Sequence, residues 1–337
     1  ESFILKILMI ILSTSDQDLD TAAQAIQKGL LVVIPTETVY GLGANLWNRH
    51  ALARVFEAKK RPSFDPLIVH IAKTGDMAEI ADTNVPHALL LAERFWPGPL
   101  TMVLPKKEKV PELATSGLPT VAVRCPDNSV AREIIRRSGV PVAAPSANPF
   151  GYLSPTRAEH VIAQLGGKVD FIVDGGRCKL GVESTVLDLS VSPPVVLRPS
   201  GLPIELLAEI IPDIRALSRS ESSLKAPGQL PSHYAPRKAL YLIPQGLVSE
   251  AGPRPAANSA ILCFGQESSY KAKQTGLWAK VLDMSPGMDS VEAASVLFEY
   301  MHELDSQDYT EIWAELLPEK GLGMAVNDRL YKASFKG

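Results

Sequence analysis

The sequence predicts an α/β fold, with a mixed and twisted sheet in the larger of two domains. Short apolar runs of strand length alternate with helical patterns through the first 211 residues. Some predicted strands follow each other with no helix between them, which indicates mixed rather than purely parallel pairing. The length of 337 residues is about two domains' worth.

The elements of the larger domain follow from local patterns. The apolar run 3–12 is too short for the roughly 20 residues of a membrane span, and it predicts a buried first strand rather than a targeting segment. A helix over 18–28 ends at Gly29, and Pro35 ends a strand over 30–34. The other predicted elements are helices at 50–60, 87–95, 129–137, 157–165 and 204–211 and strands at 66–71, 100–104, 120–124, 140–144, 171–173, 185–189 and 195–197.

A change of composition separates the two domains. Between residues 212 and 238 the hydrophobic periodicity fades, and Ser, Pro, Gly and charged residues dominate. A connection this long is uncommon inside a compact domain unless it is functional or disordered. We therefore predict a larger α/β domain at 1–211, a linker at 212–238 and a smaller α/β domain at 239–337. Within the last, strands are predicted at 240–243, 260–264, 281–284 and 312–316 and helices at 291–304 and 323–332.

Composition and the absence of common motifs exclude several classes of protein. A net charge of -3, from 34 Lys+Arg and 37 Asp+Glu, argues against a nucleic-acid coat, so any RNA contact should be local and weak. The three cysteines are far apart, which excludes a disulfide scaffold or a zinc ribbon and favours a cytoplasmic location. Phosphate-loop, dinucleotide, HExxH and GxSxG motifs are missing, so covalent catalysis and a structural metal have little support.

Loops at predicted strand ends combine small hydroxyl residues, Gly and Pro with isolated basic residues. Residues 35–43, PTETVYGLG, form either a tight turn or a loop that approaches a ligand, because ligands favour the carboxyl ends of strands in open α/β sheets. Lys59 and Arg61 close a helix, where they either interact with the helix dipole or bind a polyanion. Pro62 fixes Arg61 at a corner, which favours the polyanion.

Two further segments have the same composition. Arg124 ends an apolar strand, so it either pairs with a carboxylate of the protein or binds that of a ligand, because an unpaired buried charge is too costly. Ser154 or Thr156, soon after the segment PSAN at 145–148, caps the next helix or contacts a ligand. Together with Arg198, these loops describe a cationic cavity that fits a phosphate-bearing ligand and a small carboxylate.

Six ordered motifs resemble those of the YrdC/Sua5 family, and the likeness covers nearly the whole chain. The motifs are PTETVYGLGAN, KKRPSFDPLIVH, TVAVRCP, PVAAPSAN, GVESTVLDL and LRPSG. The segments GQLPSHYAP at 228–236 and GLGMAVNDR at 321–329 resemble the two-domain Sua5 type. The likeness implies a YrdC-like catalytic domain with a twisted sheet and a basic concave cavity. It also implies a smaller Rossmann-like C-terminal domain and a linker that can lie over the active site.

The resemblance also implies an activity, that of an L-threonylcarbamoyladenylate synthase, which is a nucleotidyltransferase. Such an enzyme condenses L-threonine, bicarbonate or CO₂, and ATP, and releases pyrophosphate. Its product serves the N6-threonylcarbamoyladenosine modification at tRNA position 37. Mg²⁺ would be bound through the phosphates, and the expected partners are a downstream tRNA threonylcarbamoyl transferase and, weakly, tRNA.

Site roles follow from the same resemblance, residue by residue. Lys59 and Arg61 would be catalytic, Arg124 would pair with the carboxylate of L-threonine, and Tyr234 of the linker would close over the nucleotide. The other residues would be Thr38, His70, Ala144 and Ser184 around L-threonine, and Asp65, Thr120, Ser146, Asn148, Ser154 and Arg198, with Lys59 and Arg61, at ATP or its metal.

The chain departs from the family pattern at several positions. Asp65 stands where many members carry Asn, and a carboxylate near phosphate makes sense only beside Mg²⁺ or a basic partner. In the linker, Ala226 and Gln229 replace the usual serine and methionine, and Pro231 stands where a basic residue often occurs.

Three other functions are compatible with parts of the sequence. An RNA-binding or assembly module could grip backbone phosphates with the same basic residues, although the net charge and the lack of interleaved aromatic residues count against it. The carbamoyl-transferring relative within hydrogenase-maturation proteins carries zinc-finger CxxC motifs that are missing here. The third is a two-domain α/β enzyme of other chemistry.

Overall fold

The computed structural model describes residues 9–217, 230, 232–248 and 255–335. The larger domain contains eleven of the described strands. These are β1 (Ile10–Leu12), β2 (Val32–Ile34), β3 (Gly41–Asn45), β4 (Ile68–His70), β5 (Leu100–Pro105), β6 (Thr120–Arg124), β7 (Val142–Ala143), β8 (Phe171–Val173), β9 (Thr185–Asp188), β10 (Val195–Arg198) and β11 (Arg215–Ala216). The helices between them are α1 (Asp16–Gln27), α2 (Arg49–Lys59), α3 (Ala88–Phe95), α4 (Glu112–Thr115), α5 (Ser129–Ser138), α6 (Ala158–Leu165) and α7 (Ile204–Ala208), with a 3-10 helix at Thr74–Glu79.

The larger sheet is mixed, which confirms the predicted fold class. Its strand order is β1-β8-β2-β3-β7-β4-β6-β5-β9-β10-β11. Strand β7 lies between β3 and β4 and runs antiparallel to both, with Ala143 opposite Ala44 and Val69. An isolated bridge joins Gly41 to Ser146 just beyond β7. This insertion brings the loop after β7 beside the loop that precedes β3.

The end of α2 shows how local sequence directs a side chain of the site. Asn48 caps the start of α2, because its side chain accepts hydrogen bonds from two backbone N–H groups of the first turn. Lys60 ends the helix in the left-handed conformation, with φ 53°. Pro62 then prevents the helix from continuing. The chain therefore turns back, and Arg61 points toward the sheet rather than into solvent.

The smaller domain is a parallel sheet with helices, as the resemblance implies. Its strands are β12 (Ala239–Ile243), β13 (Ala260–Cys263), β14 (Lys280–Asp283) and β15 (Glu311–Glu315), in the order β12-β15-β13-β14. All of its described strand pairs are parallel. The helices are α8 (Gln266–Thr275), α9 (Ser290–Ser306) and α10 (Leu322–Ser334).

Some elements of the structure were not predicted from the sequence. The sequence predicts residues 35–43 as a loop, whereas Gly41–Asn45 form strand β3. A side chain at Gly43 would meet the Val32 carbonyl oxygen at 2.9 Å, so this glycine lets β2 and β3 pair closely. Helix α8 was missed because it is mostly polar. The short α4 and β11 and the 3-10 helix also lacked a readable pattern.

The two domains pack against each other through α9 and α10. Glu299 of α9 pairs with Arg157 and Arg177 of the larger domain, at 2.9 and 2.8 Å. The rings of His302 and His160 stack across the interface, with their centroids 4.0 Å apart. Across the described ranges, no helix combines the length and the apolar character that a membrane crossing requires.

Candidate active site

One cavity is lined by strand-end loops of the larger domain and by two residues of the linker. Nine of the residues predicted from the sequence line it, including Arg61, Arg124, Ser146 and Arg198. The predicted convergence of these loops is therefore what the structure shows. The full lining is Thr36, Thr38, Val39, Gly41, Arg61, Ile68, His70, Arg124, Ala144, Pro145, Ser146, Glu183, Ser184, Arg198, His233 and Tyr234.

Arg124 lies at the end of β6, where it both pairs with a carboxylate and faces the cavity. Its Nη2 donates to Glu37 Oε1 at 2.5 Å and its Nη1 to Thr38 Oγ1 at 2.9 Å. Its Nε lies 3.4 Å from the Gly98 carbonyl oxygen. Since a guanidinium has five N–H groups, two are not engaged by any described residue and can serve a ligand.

His70 lies beside Arg124, because β4 and β6 are parallel and pair these two residues. Burial, with the Arg124 charge, lowers the pKa of His70 to about 3, so the imidazole is neutral. Its Nδ1 lies 3.2 Å from the Ile68 carbonyl oxygen, to which it donates. Nε2 is therefore left as a hydrogen-bond acceptor.

Ser184 links this end of the cavity to Arg198 at the end of β10. Arg198 donates through Nε and Nη2 to the Ser184 carbonyl oxygen, at 3.1 and 2.9 Å. The Ser184 hydroxyl lies 2.7 Å from Thr101 Oγ1. Thr101 is buried, and the sequence did not predict it as a site residue because it lies inside an otherwise apolar strand.

Lys59 stands behind the cavity wall rather than in the lining. Its Nζ donates to the carbonyl oxygens of Ser146 and Asn148, both at 2.5 Å, and the side chain is fully buried. Burial, with the nearby charge of Arg61, lowers the pKa of Lys59 well below its usual value. Lys59 therefore holds the loop after β7 in place.

The basic partner that Asp65 requires is Arg61. Arg61 Nη2 lies 2.8 Å from Asp65 Oδ2, and its Nε donates to the Asp65 carbonyl oxygen at 2.9 Å. Nη2 also donates to the Pro66 carbonyl oxygen at 2.8 Å. Burial raises the pKa of Asp65, while the Arg61 charge opposes this rise. Within the described residues Nη1 makes no such bond, and Arg61 lines the cavity.

The smaller domain also contributes to the site, which the sequence did not predict. Arg329 of α10 is fully buried, and its Nε donates to Oε2 of the cavity residue Glu183 at 2.9 Å. Ser154 donates to the other oxygen, Oε1, at 2.5 Å. Burial alone would raise the pKa of Glu183, but the positive charges of Arg329 and Arg198 outweigh this effect. The net result is a lowered pKa. Arg329 also bonds to Ser200 Oγ at 2.7 Å.

Two linker residues, His233 and Tyr234, line the cavity. The Tyr234 hydroxyl and His233 Nδ1 are buried, and neither has a hydrogen-bond partner among the described residues. Burial, with Arg61 and Lys59, lowers the pKa of His233 well below its usual value, and burial raises that of Tyr234 to about 12. The cavity volume is about 40 Å³, room for a few water molecules only.

Five predicted residues do not line the cavity. Four of them stand directly behind the cavity wall. Asp65 and Ser154 contact the lining residues Arg61 and Glu183, and Lys59 binds the carbonyl oxygens of Ser146 and Asn148. Thr120 begins β6, at the opposite end from Arg124. The linker positions 226, 229 and 231 lie outside the described residues. The sequence prediction assigned no role to seven other lining residues, although most of them lie within the recognised motifs. They are Thr36, Val39, Gly41, Ile68, Pro145, Glu183 and His233.

No group of three or more His, Cys, Asp or Glu side chains suited to a metal ion occurs in the part of the chain that the structure describes. The carboxylates nearest the cavity are each engaged by an arginine. These are Glu37 with Arg124, Asp65 with Arg61, and Glu183 with Arg329.

Comparison with known proteins agrees with the geometry. Residues 24–200 match the Sua5/YciO/YrdC family, described as "Telomere recombination", and residues 202–334 match the family described as "Threonylcarbamoyl-AMP synthase, C-terminal domain". The threonylcarbamoyl-AMP synthase of Pyrococcus abyssi is 44% identical over 326 residues, 93% of each chain. That of Bacillus subtilis is 39% identical over 336 residues, covering 96% of this chain and 94% of the relative.

A solved structure resembles the whole molecule. The crystal structure of P. abyssi Sua5 complexed with L-threonine has a TM-score of 0.86 and 41% sequence identity to this chain, and the match covers 97% of both. The family match spans more than half of the chain, and the curated relatives are similar over nearly all of it. The chain therefore belongs to the Sua5/YciO/YrdC family, in the form that carries a Sua5-type C-terminal domain.

Proposed function

We propose that this protein is an L-threonylcarbamoyladenylate synthase, a nucleotidyltransferase that joins L-threonine, bicarbonate or CO₂, and ATP. The observation that carries this proposal is the single cavity in which Arg124, beside Thr38, meets Arg61 and Arg198. It offers separate donors for a carboxylate and for a polyphosphate. The similar proteins from P. abyssi and B. subtilis, both named threonylcarbamoyl-AMP synthases, support the same activity.

L-threonine would bind at the Arg124 end. The two unused N–H groups of Arg124 suit a carboxylate, and the hydroxyls of Thr38 and Ser184 suit the polar groups of an amino acid. His70, neutral and with Nε2 as an acceptor, can receive a hydrogen bond from the amine or the hydroxyl. Ala144 completes this wall. The complex of P. abyssi Sua5 with L-threonine supports this assignment.

ATP would bind at the Arg61 end, near Ser146 and Arg198. Lys59 and Asn148 support the loop that carries Ser146, and Asp65 holds Arg61. We assign the remaining predicted contacts with ATP to Thr120 and Ser154. Mg²⁺ would enter as part of the Mg–ATP substrate, because the nearby carboxylates are already engaged by arginines.

Two steps would occur in the cavity. The neutral amine of L-threonine either adds to CO₂ and loses a proton, or condenses with bicarbonate and releases water. Both routes give the same carbamate. A carbamate oxygen then attacks the α-phosphorus of ATP, and pyrophosphate leaves. Catalysis would come from holding two anions together and from stabilising the charge that develops at phosphorus. Arg61 is the proposed residue for that charge, and Lys59, proposed from the resemblance as catalytic, would act by holding the loop that carries Ser146.

The linker would close over the nucleotide through Tyr234. Since the cavity of about 40 Å³ cannot hold ATP beside His233 and Tyr234, this segment has to move when the nucleotide enters. We assign catalysis to residues 1–211, closure to the linker at 212–238 and support to residues 239–337. The product would pass to a tRNA threonylcarbamoyl transferase, with at most weak contact to tRNA by this chain.

A pyrophosphate-release assay tests the proposal. We expect release from Mg–ATP that depends on both L-threonine and bicarbonate, with threonylcarbamoyl-AMP identified by mass spectrometry. Omitting either substrate should abolish the signal. A protein that binds tRNA and releases no pyrophosphate under these conditions would instead be an RNA-binding module.

A further inference from the structure

Glu37 is a buried carboxylate beside the cavity, and it takes no part in the proposed substrate contacts. Its side chain is 5% exposed, and its Oε1 lies 2.5 Å from Arg124 Nη2. Its Oε2 is buried and makes no hydrogen bond within the described residues. Its backbone is fixed as well, because its carbonyl oxygen accepts from the Leu180 N–H at 2.8 Å. The carboxylate is therefore held in one place.

Glu37 contacts Arg124, which lines the cavity, without lining the cavity itself. Three acceptors, from Glu37, Thr38 and Gly98, engage the guanidinium and fix its plane. A long arginine side chain is otherwise free to adopt many rotamers, so these contacts leave it ordered before a ligand arrives.

We propose that Glu37 is a positioning residue for Arg124, and that it sets how the amino-acid carboxylate is recognised. With Glu37 in place the pair has no net charge, and the two remaining N–H groups of Arg124 point in fixed directions. Recognition then depends on matching both hydrogen bonds, which favours a planar carboxylate over other anions. The inference rests on the proposed function, because it assigns the Arg124 end to L-threonine.

The direct test is Glu37→Ala. The unpaired guanidinium would turn toward other acceptors, and we expect the KM for L-threonine to rise about 10- to 100-fold, the usual worth of a charged hydrogen bond. The KM for ATP should not change, because the Arg61 end is untouched. Glu37→Gln retains one acceptor oxygen and should restore part of the threonine affinity. If Glu37→Ala does not fold, Glu37→Gln serves as the test variant in its place.

A substrate analogue separates positioning from a merely structural role. L-threoninol carries a CH₂OH group in place of the carboxylate, so it cannot use the two N–H groups of Arg124 together. The wild-type protein should prefer L-threonine strongly in kcat/KM, and Glu37→Ala should lose most of this preference. In an Arg124→Lys background, Glu37→Ala should add little further loss, because the positioned group is already gone.

Asp170→Asn is the matched control. Asp170 also pairs with an arginine, Arg54, at 2.9 Å, but neither residue lines the cavity, so both KM values should stay at the wild-type level. If wild-type protein releases no pyrophosphate, the proposed function fails. If wild-type protein is active, the inference is overturned by a Glu37→Ala variant that keeps its threonine KM, loses affinity for both substrates equally, or keeps its preference over L-threoninol.

Discussion

Three buried arginines of the site each face a buried carboxylate. Removing one member of such a pair leaves an uncompensated charge, which costs about 3–5 kcal/mol. A single alanine substitution would therefore mix a loss of turnover with a loss of stability, so both charges are best removed together where turnover is measured. The pairs are Arg61 with Asp65, Arg124 with Glu37, and Arg329 with Glu183. Glu37→Ala can be used alone because its test compares the KM values for two substrates within one variant.

The double variant Arg61→Ala, Asp65→Asn tests the phosphate end. We expect turnover to fall about 10²- to 10³-fold, because one preorganised donor to the transition state is lost, while circular dichroism shows an intact fold. Steady-state pyrophosphate release measures the effect. Arg54→Ala is the control, because Arg54 lies outside the cavity lining. Wild-type turnover in the double variant would remove Arg61 from the catalytic machinery.

The sequence predicted where the basic residues lie but not which groups they meet. Arg124 was expected to pair with a protein carboxylate or with a ligand, and the structure supplies Glu37, which is 87 residues away. Arg329 and Glu183 are 146 residues apart and belong to different domains. Such contacts depend on the order of the strands and on the packing of the domains, which local patterns do not encode.

At the level of elements, β7 shows why the sheet order could not be predicted. Neighbours in sequence usually pair in a sheet, so β3 and β4 would be expected side by side. The two-residue β7 separates them. The strand predicted at 140–144 covers β7, but no local pattern tells between which strands it inserts. Yet this insertion brings Ser146 beside Gly41 and so builds part of the cavity.

The start of the GVEST loop should be sensitive to any side chain. Gly181 has φ 72°, and a Cβ there would lie 2.5–2.7 Å from backbone atoms of Ala294 and Ser295 in α9. Gly176 has φ 77°, but a Cβ there meets nothing within 4 Å. Both alanine variants carry the cost of a left-handed backbone, about 1–2 kcal/mol. Only Gly181→Ala should also disturb the domain interface.

Urea unfolding of the two variants provides the measurement. We expect Gly181→Ala to lower the free energy of unfolding by clearly more than Gly176→Ala does. Equal losses would mean that α9 moves away at no cost and that this contact does not hold the domains together.

The Tyr234 hydroxyl, which has no hydrogen-bond partner among the described residues, allows a second test at this level. Tyr234→Phe removes this buried group, so the free protein should be as stable as wild type or more stable by about 1 kcal/mol. If the hydroxyl meets the nucleotide after closure, the KM for ATP rises. Tyr152→Phe is the control, since its hydroxyl donates to Asp305 and its loss should destabilise the free protein. A less stable Tyr234→Phe variant would contradict the assignment.

At the scale of the whole molecule, the smaller domain is part of the site rather than an appendage. Arg329 joins Glu183 to α10, and its guanidinium lies 5.1 Å from the centre of the Tyr234 ring. Asp305 of α9 accepts hydrogen bonds from the backbone N–H groups of Arg237 and Lys238, which fixes the end of the linker. The sequence predicted this domain and its strands, but a boundary drawn from composition cannot show that a domain completes its neighbour's cavity.

The stacked histidines at the domain interface predict how stability depends on pH. Burial, with the neighbouring His160, lowers the pKa of His302 from 6.5 to about 3 in the folded protein. Between about pH 3 and 6.5 the unfolded chain therefore binds a proton that the folded protein does not. Acidification through this window favours unfolding, by about 1.4 kcal/mol per pH unit for this group. Above the window, the group contributes no pH dependence.

His302→Gln should make the loss of stability on acidification less steep by about that amount, because glutamine does not titrate and can still donate to the Ser154 carbonyl oxygen. His70, with its pKa also lowered to about 3, leaves part of the slope in place. His50→Gln, on the exposed side of α2, is the control and should leave the slope unchanged. Urea unfolding at a series of pH values between about 4 and 7 measures the slopes. Parallel curves for His302→Gln and wild type would show that protonation of this histidine is not what opens the interface.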